Sequence, residues 1–176
     1  MPLFANKVMI FIDGSNMFLS CRRHNIKIKY EKLIEFLKKD RNVMRISYYS
    51  GVNYPITEEQ NKFFKMLRQY LEIDVITRPL KLRKTKCEKC HHEKTIKIEK
   101  GIDANLSIDL LWYAIQNAYD IAIIISGDTD YIPAIEKVRL LGKRVELWSF
   151  KDSLGADLKK KVDKINYLDD IVDKIT

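Results

Sequence analysis

The chain has 176 residues, a length that fits one domain with a single sizeable core. Apolar residues make up 46% of it and charged residues 32%, which is typical of a globular protein and excludes a disordered one. No apolar run is long enough to cross a bilayer, so we expect no membrane partner. The first residues lack the basic start of a signal peptide, so we expect a cytoplasmic location.

The net charge of +8 is concentrated in one segment. Residues 78–100 carry nine Lys or Arg and three Glu, whereas the rest of the chain carries 23 basic and 21 acidic residues. A concentrated basic segment indicates a polyanionic partner, with nucleic acid as the first candidate. A solvated, lysine-rich loop is the plain alternative.

Short apolar runs alternate along the chain with segments of helical spacing. This alternation predicts an α/β fold with a mostly parallel sheet and helices on both faces. In chain order, we expect strands at 7–13, 42–51, 73–80, 120–127 and 143–150. We expect helices at 14–24, 30–40, 57–71, 101–119 and 130–142, and short helical pieces within 151–176.

Local signals mark several helix ends. Ser15 or Asn16 can cap the first helix, because both side chains offer an oxygen to free backbone N–H groups. Thr57 and Gln60 form a capping-box pattern at the start of the third helix. Gly142 is placed to end the fifth.

Residues 80–100 interrupt the alternation, and we interpret them as an inserted basic β-hairpin. Its tip is "CEKCHHE", in which Cys87 and Cys90 have zinc-ligand spacing but make only half a site. His91 and His92 could complete that site, or a second copy could do so across a homodimer. A metal-free hairpin is the alternative, since no second CxxC exists. The residues expected to contact a nucleic-acid backbone are Lys81, Arg83, Lys84, Lys86, Lys89, Lys94 and Lys97.

Polar side chains follow two of the predicted strands. Asp13 ends the first strand, Asn16 lies one turn later, and Asp128 and Asp130 follow the run "IAIII". Ligands of open parallel sheets bind at the carboxyl ends of the strands. If the first and fourth strands are neighbours, Asp13 and Asp128 face each other, and crowded carboxylates favour a bound cation. Hard oxygen ligands of this kind suit Mg²⁺ or Mn²⁺.

The long helix adds two more carboxylates. Asp103 lies in its first turn, and Asp109 lies among Ile108, Leu110 and Leu111. An acid in so apolar a segment is costly unless it is paired or bound to metal. Six residues separate the two, so they lie about 120° apart around the helix axis and need not share one ion.

Each carboxylate also has a purely structural interpretation. Asp128 can cap the following helix, and Asp103 and Asp130 can serve as acids of a first helical turn. Asp13 before a glycine can belong to a turn, and Asp109 can form a salt bridge. The joint pattern is more specific than any single member, because two strand-ending aspartates coincide with an acid inside an apolar helix.

Three motifs resemble a known family. "FIDGSN" follows the first strand, "KGIDANLSIDLL" opens the long helix, and "IISGDTDY" follows the fourth strand. In this order and spacing they are similar to the NYN domain, in the LabA-like branch of the PIN-domain-like nucleases. The resemblance spans residues 7–150, and the tail "ADLKKKVDKINYLDDI" is also similar to the end of these domains.

The resemblance implies a Rossmannoid, PIN-like three-layer sandwich with a five-stranded sheet of order 3-2-1-4-5. It implies one domain over 1–176, with 80–100 as the inserted hairpin and 151–176 as a C-terminal extension. It also implies RNA cleavage at a Mg²⁺ or Mn²⁺ site. The implied metal ligands are Asp13, Asp103, Asp109 and Asp128, and the implied catalytic set adds Asn16 and Asp130.

Two functions are therefore compared. The first is a metal-dependent ribonuclease, and the second is an RNA-binding or regulatory protein with a weak or inactive site. The intact set of aspartates favours the first. A doubly wound phosphatase ranks below both, because the chain lacks a glycine-rich phosphate loop.

Metal analysis of purified wild-type and Cys87→Ser protein separates the two interpretations of the hairpin. Zinc that is present in the wild type and lost in the variant indicates a CxxC site, because the thiolates hold the ion. Absence of zinc from both proteins indicates a metal-free basic hairpin.

Overall fold

The structure is a computed structural model that describes residues 6–86 and 90–176. Its strands are β1 (Lys7–Asp13), β2 (Asn42–Val52), β3 (Asp74–Pro79), β4 (Lys81–Lys86), β5 (Glu93–Ile98), β6 (Ile121–Ile125), β7 (Arg144–Ser149) and β8 (Lys164–Tyr167). Its α-helices are α1 (Gly14–Arg23), α2 (Tyr30–Lys38), α3 (Glu58–Tyr70), α4 (Ile102–Ile115), α5 (Ile132–Leu140) and α6 (Val172–Ile175).

The central sheet has six parallel strands in the order β3-β2-β1-β6-β7-β8. The strands β3-β2-β1-β6-β7 confirm the predicted five-stranded order. Strand β8 was not predicted, because only helical pieces were expected within 151–176. The strand is only four residues long and carries no clear alternation. Asp163, just before it, accepts a hydrogen bond from the Val145 N–H and donates its own N–H to the Val145 carbonyl, which docks this segment beside β7.

Alternation along the strands divides the core between the two faces of the sheet. On β1, Val8, Ile10 and Ile12 pack with residues of α1, α2, α3 and α6. Met9 and Phe11 point to the opposite face and pack with α4 and α5. The central strands are therefore apolar on both sides, which is why their sequences read as uninterrupted apolar runs.

Several helix ends differ from the sequence predictions. The N-cap of α1 is Asp13, whose Oδ1 accepts from the Asn16 N–H at 2.9 Å, so the expectation of Ser15 or Asn16 was wrong. Helix α4 ends at Ile115 and not at residue 119, because Asn117 takes a left-handed conformation with φ 52°. The Thr57 cap is confirmed, but the Gln60 side chain accepts from Asn53 and does not close a capping box.

The basic insertion forms the predicted hairpin, in which β4 and β5 pair antiparallel outside the main sheet. The chain builds the sheet outward from β1 through β2 to β3, and then from β6 through β7 to β8 on the other side. The order thus reverses between β1 and β6, where a crevice opens at the carboxyl ends of the strands.

Within residues 6–86 and 90–176, no helix has both the length and the apolar character to span a membrane.

Replacing Leu110 by alanine should destabilise the protein by about 2–5 kcal/mol, since its fully buried side chain fills the core beneath α4. Leu140→Ala is the matched control, because that leucine on α5 is 80% exposed and its loss should change stability by less than about 0.5 kcal/mol. Urea unfolding of both variants measures the difference. Equal losses would contradict the assigned core.

Candidate active site at the carboxyl edge of the sheet

Asp13 is the centre of a polar cluster in the crevice between β1 and β6. It is the last residue of β1 and only 3% exposed. Its Oδ2 accepts hydrogen bonds from Ser126 Oγ at 2.9 Å and from Tyr131 Oη at 3.0 Å. Burial raises the pKa of Asp13, and the nearby Asp103 charge adds to the rise, whereas the three hydrogen bonds to the carboxylate oppose it.

Tyr131 joins Asp13 to Asp103. Its hydroxyl also lies 3.2 Å from Asp103 Oδ1, so the two carboxylates compete for a single proton. Burial, together with both carboxylates, raises the pKa of Tyr131 far above its ordinary range. The hydroxyl therefore stays protonated and acts as a donor between two acids from different elements.

Asp128 and Asp130 extend the cluster from the loop after β6. Asp128 Oδ1 accepts from the Asp130 N–H at 2.9 Å and caps the short turn Thr129–Tyr131. The Asp128 N–H in turn donates to Ser126 Oγ at 3.1 Å. Burial is the main cause of the raised pKa of Asp103, and the charges of Asp128 and Asp130 contribute to it. Asp128 is thus a cap, and it also lies within electrostatic reach of Asp103.

Asn16 and Gly127 position these acids. Asn16 donates its backbone N–H to Asp13, and its side-chain Oδ1 accepts from the Gly127 N–H at 3.2 Å. A Cβ added at Gly127 would lie 2.0 Å from the Ser153 carbonyl oxygen, so this position has no room for a side chain. The glycine of "SGDTD" therefore allows the β6 loop to pack against the backbone of the 150–155 segment.

Glu99 belongs to this cluster, and the sequence analysis missed it. It follows β5 directly, and its Oε1 is buried with no hydrogen-bond partner among the residues that the structure describes. Burial raises the pKa of Glu99, and the charges of Asp13 and Asp103 raise it further, whereas Ser15 lowers it. The available signal was an acid four residues before Asp103, but Glu99 was counted as part of the basic insertion.

The structure places Asp109 apart from the other acids. Its Oδ2 accepts from Tyr49 Oη at 2.8 Å, and the residue lines a separate cavity of about 640 Å³ together with Arg45 and Tyr113. Six residues along α4 move it roughly 9 Å from Asp103 and turn it around the axis. The structure therefore does not bring Asp109 together with Asp13, Asp103 and Asp128, and its expected role as a metal ligand stays a prediction.

The remaining acids suit a divalent cation in their chemistry. Asp13, Glu99 and Asp103 all have raised pKa values, which a cation among them would reverse. The buried Oε1 of Glu99 has no hydrogen-bond partner among the described residues, so its lone pairs are open to a cation. In the described part of the chain, however, no three His, Cys, Asp or Glu side chains converge closely enough to hold a metal ion. Ion binding at this cluster thus requires the carboxylates to draw together.

The hairpin presents its basic residues to solvent. Lys81, Arg83, Lys84, Lys86, Lys94 and Lys97 are exposed, whereas Cys87 and Lys89 lie outside the described residues. Cys90, His91 and His92 are exposed, and the zinc site stays a prediction. Lys97 Nζ donates to Asn53 Oδ1 at 2.6 Å, which ties β5 to the loop after β2.

Three tyrosines near the end of β2, where bases of a nucleic acid could stack, differ in exposure. Tyr48 and Tyr49 are 4% and 1% exposed and pack in the core, so stacking on a nucleic acid base is excluded for them. Tyr54 is 85% exposed and leaves its ring open to solvent.

Glu99→Gln should flatten the pH dependence of stability in the metal-free protein. The raised pKa of Glu99 stabilises the folded state fully below its ordinary value near 4.5, and this contribution is lost as the pH rises through the folded-state pKa. Urea unfolding in EDTA between about pH 4 and pH 7 measures the slope. Glu93→Gln, which removes an exposed carboxylate of β5, is the control and should keep the wild-type slope. A wild-type slope in Glu99→Gln would contradict the burial of this carboxylate in the cluster.

Comparisons with known proteins agree with this architecture. The crystal structure of VPA0982, a protein of unknown function from Vibrio parahaemolyticus, matches 100% of this chain and 99% of its own with a TM-score of 0.78 and 19% identity, which shows the fold. A phosphofructokinase-2 mutant from Escherichia coli matches at a TM-score of 0.43 and 10% identity, over 92% of this chain and 60% of its own, and carries no argument. The comparison with curated proteins found no match. The family model of the NYN domain matches residues 7–169, and the chain belongs to the NYN domain family.

Proposed function

We propose that this protein is a metal-dependent ribonuclease. NYN domains belong to the PIN-like nuclease superfamily, which indicates a nuclease or RNA-related role. The observation that carries the proposal is that Asp13, Glu99 and Asp128 all lie within electrostatic reach of Asp103, at the point where the strand order reverses. Ligand sites of open α/β sheets occur at this point.

Asp13, Asp103 and Asp128 would hold Mg²⁺ or Mn²⁺, with the free Oε1 of Glu99 as a further oxygen ligand. The bound ion would supply a water of lowered pKa and stabilise charge on the phosphate. The protein would contribute positioning, since Ser126 and Tyr131 hold Asp13 in a fixed orientation. Asp130 is exposed beside the cluster, where its carboxylate can orient an attacking water.

RNA as the substrate is supported by the charge distribution around this site. Arg78, Lys81 and Lys100 line an open cavity of about 450 Å³ at the start of α4, which also carries Asp103. The exposed lysines and arginine of the hairpin continue this basic surface. A cationic surface next to an acidic cluster would bind the phosphate backbone and leave the reacting phosphodiester at the carboxylates.

RNA binding without efficient cleavage is the second candidate. It is favoured by two features: the Asp13 carboxylate already accepts three hydrogen bonds, and no three ligands converge within the described residues. This candidate predicts the same basic surface but no metal-dependent product. A cleavage assay decides between the two.

Asp128→Asn should lower RNA cleavage by about a hundredfold or more, because loss of a ligand charge costs several kcal/mol of transition-state stabilisation. Asparagine caps helices as well as aspartate does, so the turn Thr129–Tyr131 should keep its cap. The assay uses end-labelled single-stranded and structured RNA with Mg²⁺, Mn²⁺ or EDTA.

Asp173→Asn is the matched control, since this exposed aspartate on α6 lies outside the cluster and its variant should cleave at the wild-type rate. Cleavage that persists in Asp128→Asn or in EDTA would contradict the proposed mechanism. Binding without cleavage by the wild type would favour the second candidate.

A further inference from the structure

The outer face of α4 carries a row of exposed apolar side chains. Ile108, Trp112 and Ile115 are 63%, 55% and 56% exposed, and their spacing of four and three residues places them one above the other on the helix. No element in the described part of the chain covers these three residues, which we call the α4 row. Large apolar side chains that are grouped on a protein surface mark an interaction site, whereas single ones need no explanation.

The two charged side chains of α4 lie away from the α4 row. Asp103 belongs to the carboxylate cluster, and Asp109 lines the separate cavity between α4 and the sheet edge. The inner face of the helix packs on the sheet through Leu106 and Leu110. The α4 row is therefore an uncharged surface about 10 Å long, since each residue of a helix adds about 1.5 Å.

Basic residues lie at the start of the α4 row. Arg78, Lys81 and Lys100 line an open cavity together with Ala104, which is the α4 residue one turn before Ile108. The apolar row thus leads directly into a cationic cavity.

Basic residues also lie at the end of the α4 row. The ammonium groups of Lys7 and Lys143 both donate to Asn117, two residues after Ile115. One carboxylate, Asp120, is bonded there to the backbone N–H of Lys7 at 2.7 Å, so this end keeps a net positive charge. The row is therefore apolar in its middle and cationic at both ends.

This pattern determines which occupant fits. A two-fold pairing of two copies along the row would place basic ends against basic ends, whether the helices run parallel or antiparallel, and like charges across an interface repel. Helices that bind a membrane surface bury a broad apolar face, whereas this row is one side chain wide. Apolar residues with spacings of four and three match the apolar stripe of another helix, and acidic residues at both ends of that helix would complement the charges.

We infer that the α4 row is a docking site for a helical segment of another protein, with apolar side chains in its middle and acidic side chains at both ends. Trp112, in the centre of the row, is the anchor of this interface, because buried aromatic residues near the centre contribute most to binding. The inference goes beyond the proposed function and does not depend on it, since the carboxylate cluster takes no part in the contact.

A synthetic helical peptide tests this inference on the full chain. The probe is a fluorescein-labelled, hydrocarbon-stapled peptide of about 18 residues, with leucines at positions i, i+4 and i+7 and three glutamates at each end. Fluorescence anisotropy measures its affinity. Trp112→Glu should weaken binding by about tenfold or more, because the anchor is replaced by a charge of the same sign as the peptide ends. Ile108→Glu should act in the same direction, and circular dichroism checks that both variants fold.

Tyr70→Glu is the matched control, because it introduces the same charge at a tyrosine of α3 that is 77% exposed. Its affinity for the peptide should be close to that of the wild type. A peptide with lysines in place of the glutamates should bind about tenfold more weakly or less, since both ends of the row are cationic.

Three results with the peptides would overturn the inference: no binding by the wild type, unchanged affinity in Trp112→Glu, or equal affinity for the acidic and the lysine peptide. Analytical ultracentrifugation and flotation with phosphatidylserine vesicles test the other occupants. Self-association or vesicle binding that Trp112→Glu abolishes would assign the α4 row to a second copy or to a membrane, and would equally overturn it.

Discussion

The structure depends on how it accommodates a buried carboxylate at the end of its central strand. Asp13 is almost fully excluded from water, and an unpaired charge there would cost several kcal/mol. Three donors from three places in the chain offset this cost: the Asn16 amide, the Ser126 hydroxyl and the Tyr131 hydroxyl. Hydrogen bonds to a charged group each contribute about 1.5–3 kcal/mol. Satisfying Asp13 therefore fixes α1 and the β6 loop relative to β1.

The same arrangement limits what the free protein can do with its acids. Tyr131 has one proton for two carboxylates, and Glu99 has a buried oxygen without a partner in the described structure. Raised pKa values at Asp13, Glu99 and Asp103 show that the cluster is electrostatically unfavourable without a counter-charge. The stability of the fold is thus lowered by the same few residues that are proposed to hold the cation.

The sequence was sufficient to predict the parts that depend on local pattern. Apolar runs located the strands β1, β2, β3, β6 and β7, the family resemblance implied their order, and the basic segment was identified as a hairpin. The sequence predictions failed where contacts between residues far apart in the chain determine the structure. Strand β8 is held by contacts of Asp163 with Val145 of the neighbouring strand β7. The sequence also showed no sign that Asp109 accepts a hydrogen bond from Tyr49, 60 residues away. Glu99 was missed as a site residue because it lies among lysines in the sequence, and nothing there indicates that its carboxylate is buried.

Glu99 also divides the hairpin into two regions with different freedom to change. At the foot, the carboxylate is packed beside Gly51 and the acidic cluster, so a one-residue shift would replace or misdirect it. Towards the outer end, as far as the described residues extend, β4 and β5 pair with each other and present mostly exposed side chains. Insertions are tolerated where the affected backbone is exposed and lacks further contacts. The hairpin can therefore become longer or shorter during evolution at its outer end, whereas its junction with α4 keeps a fixed length.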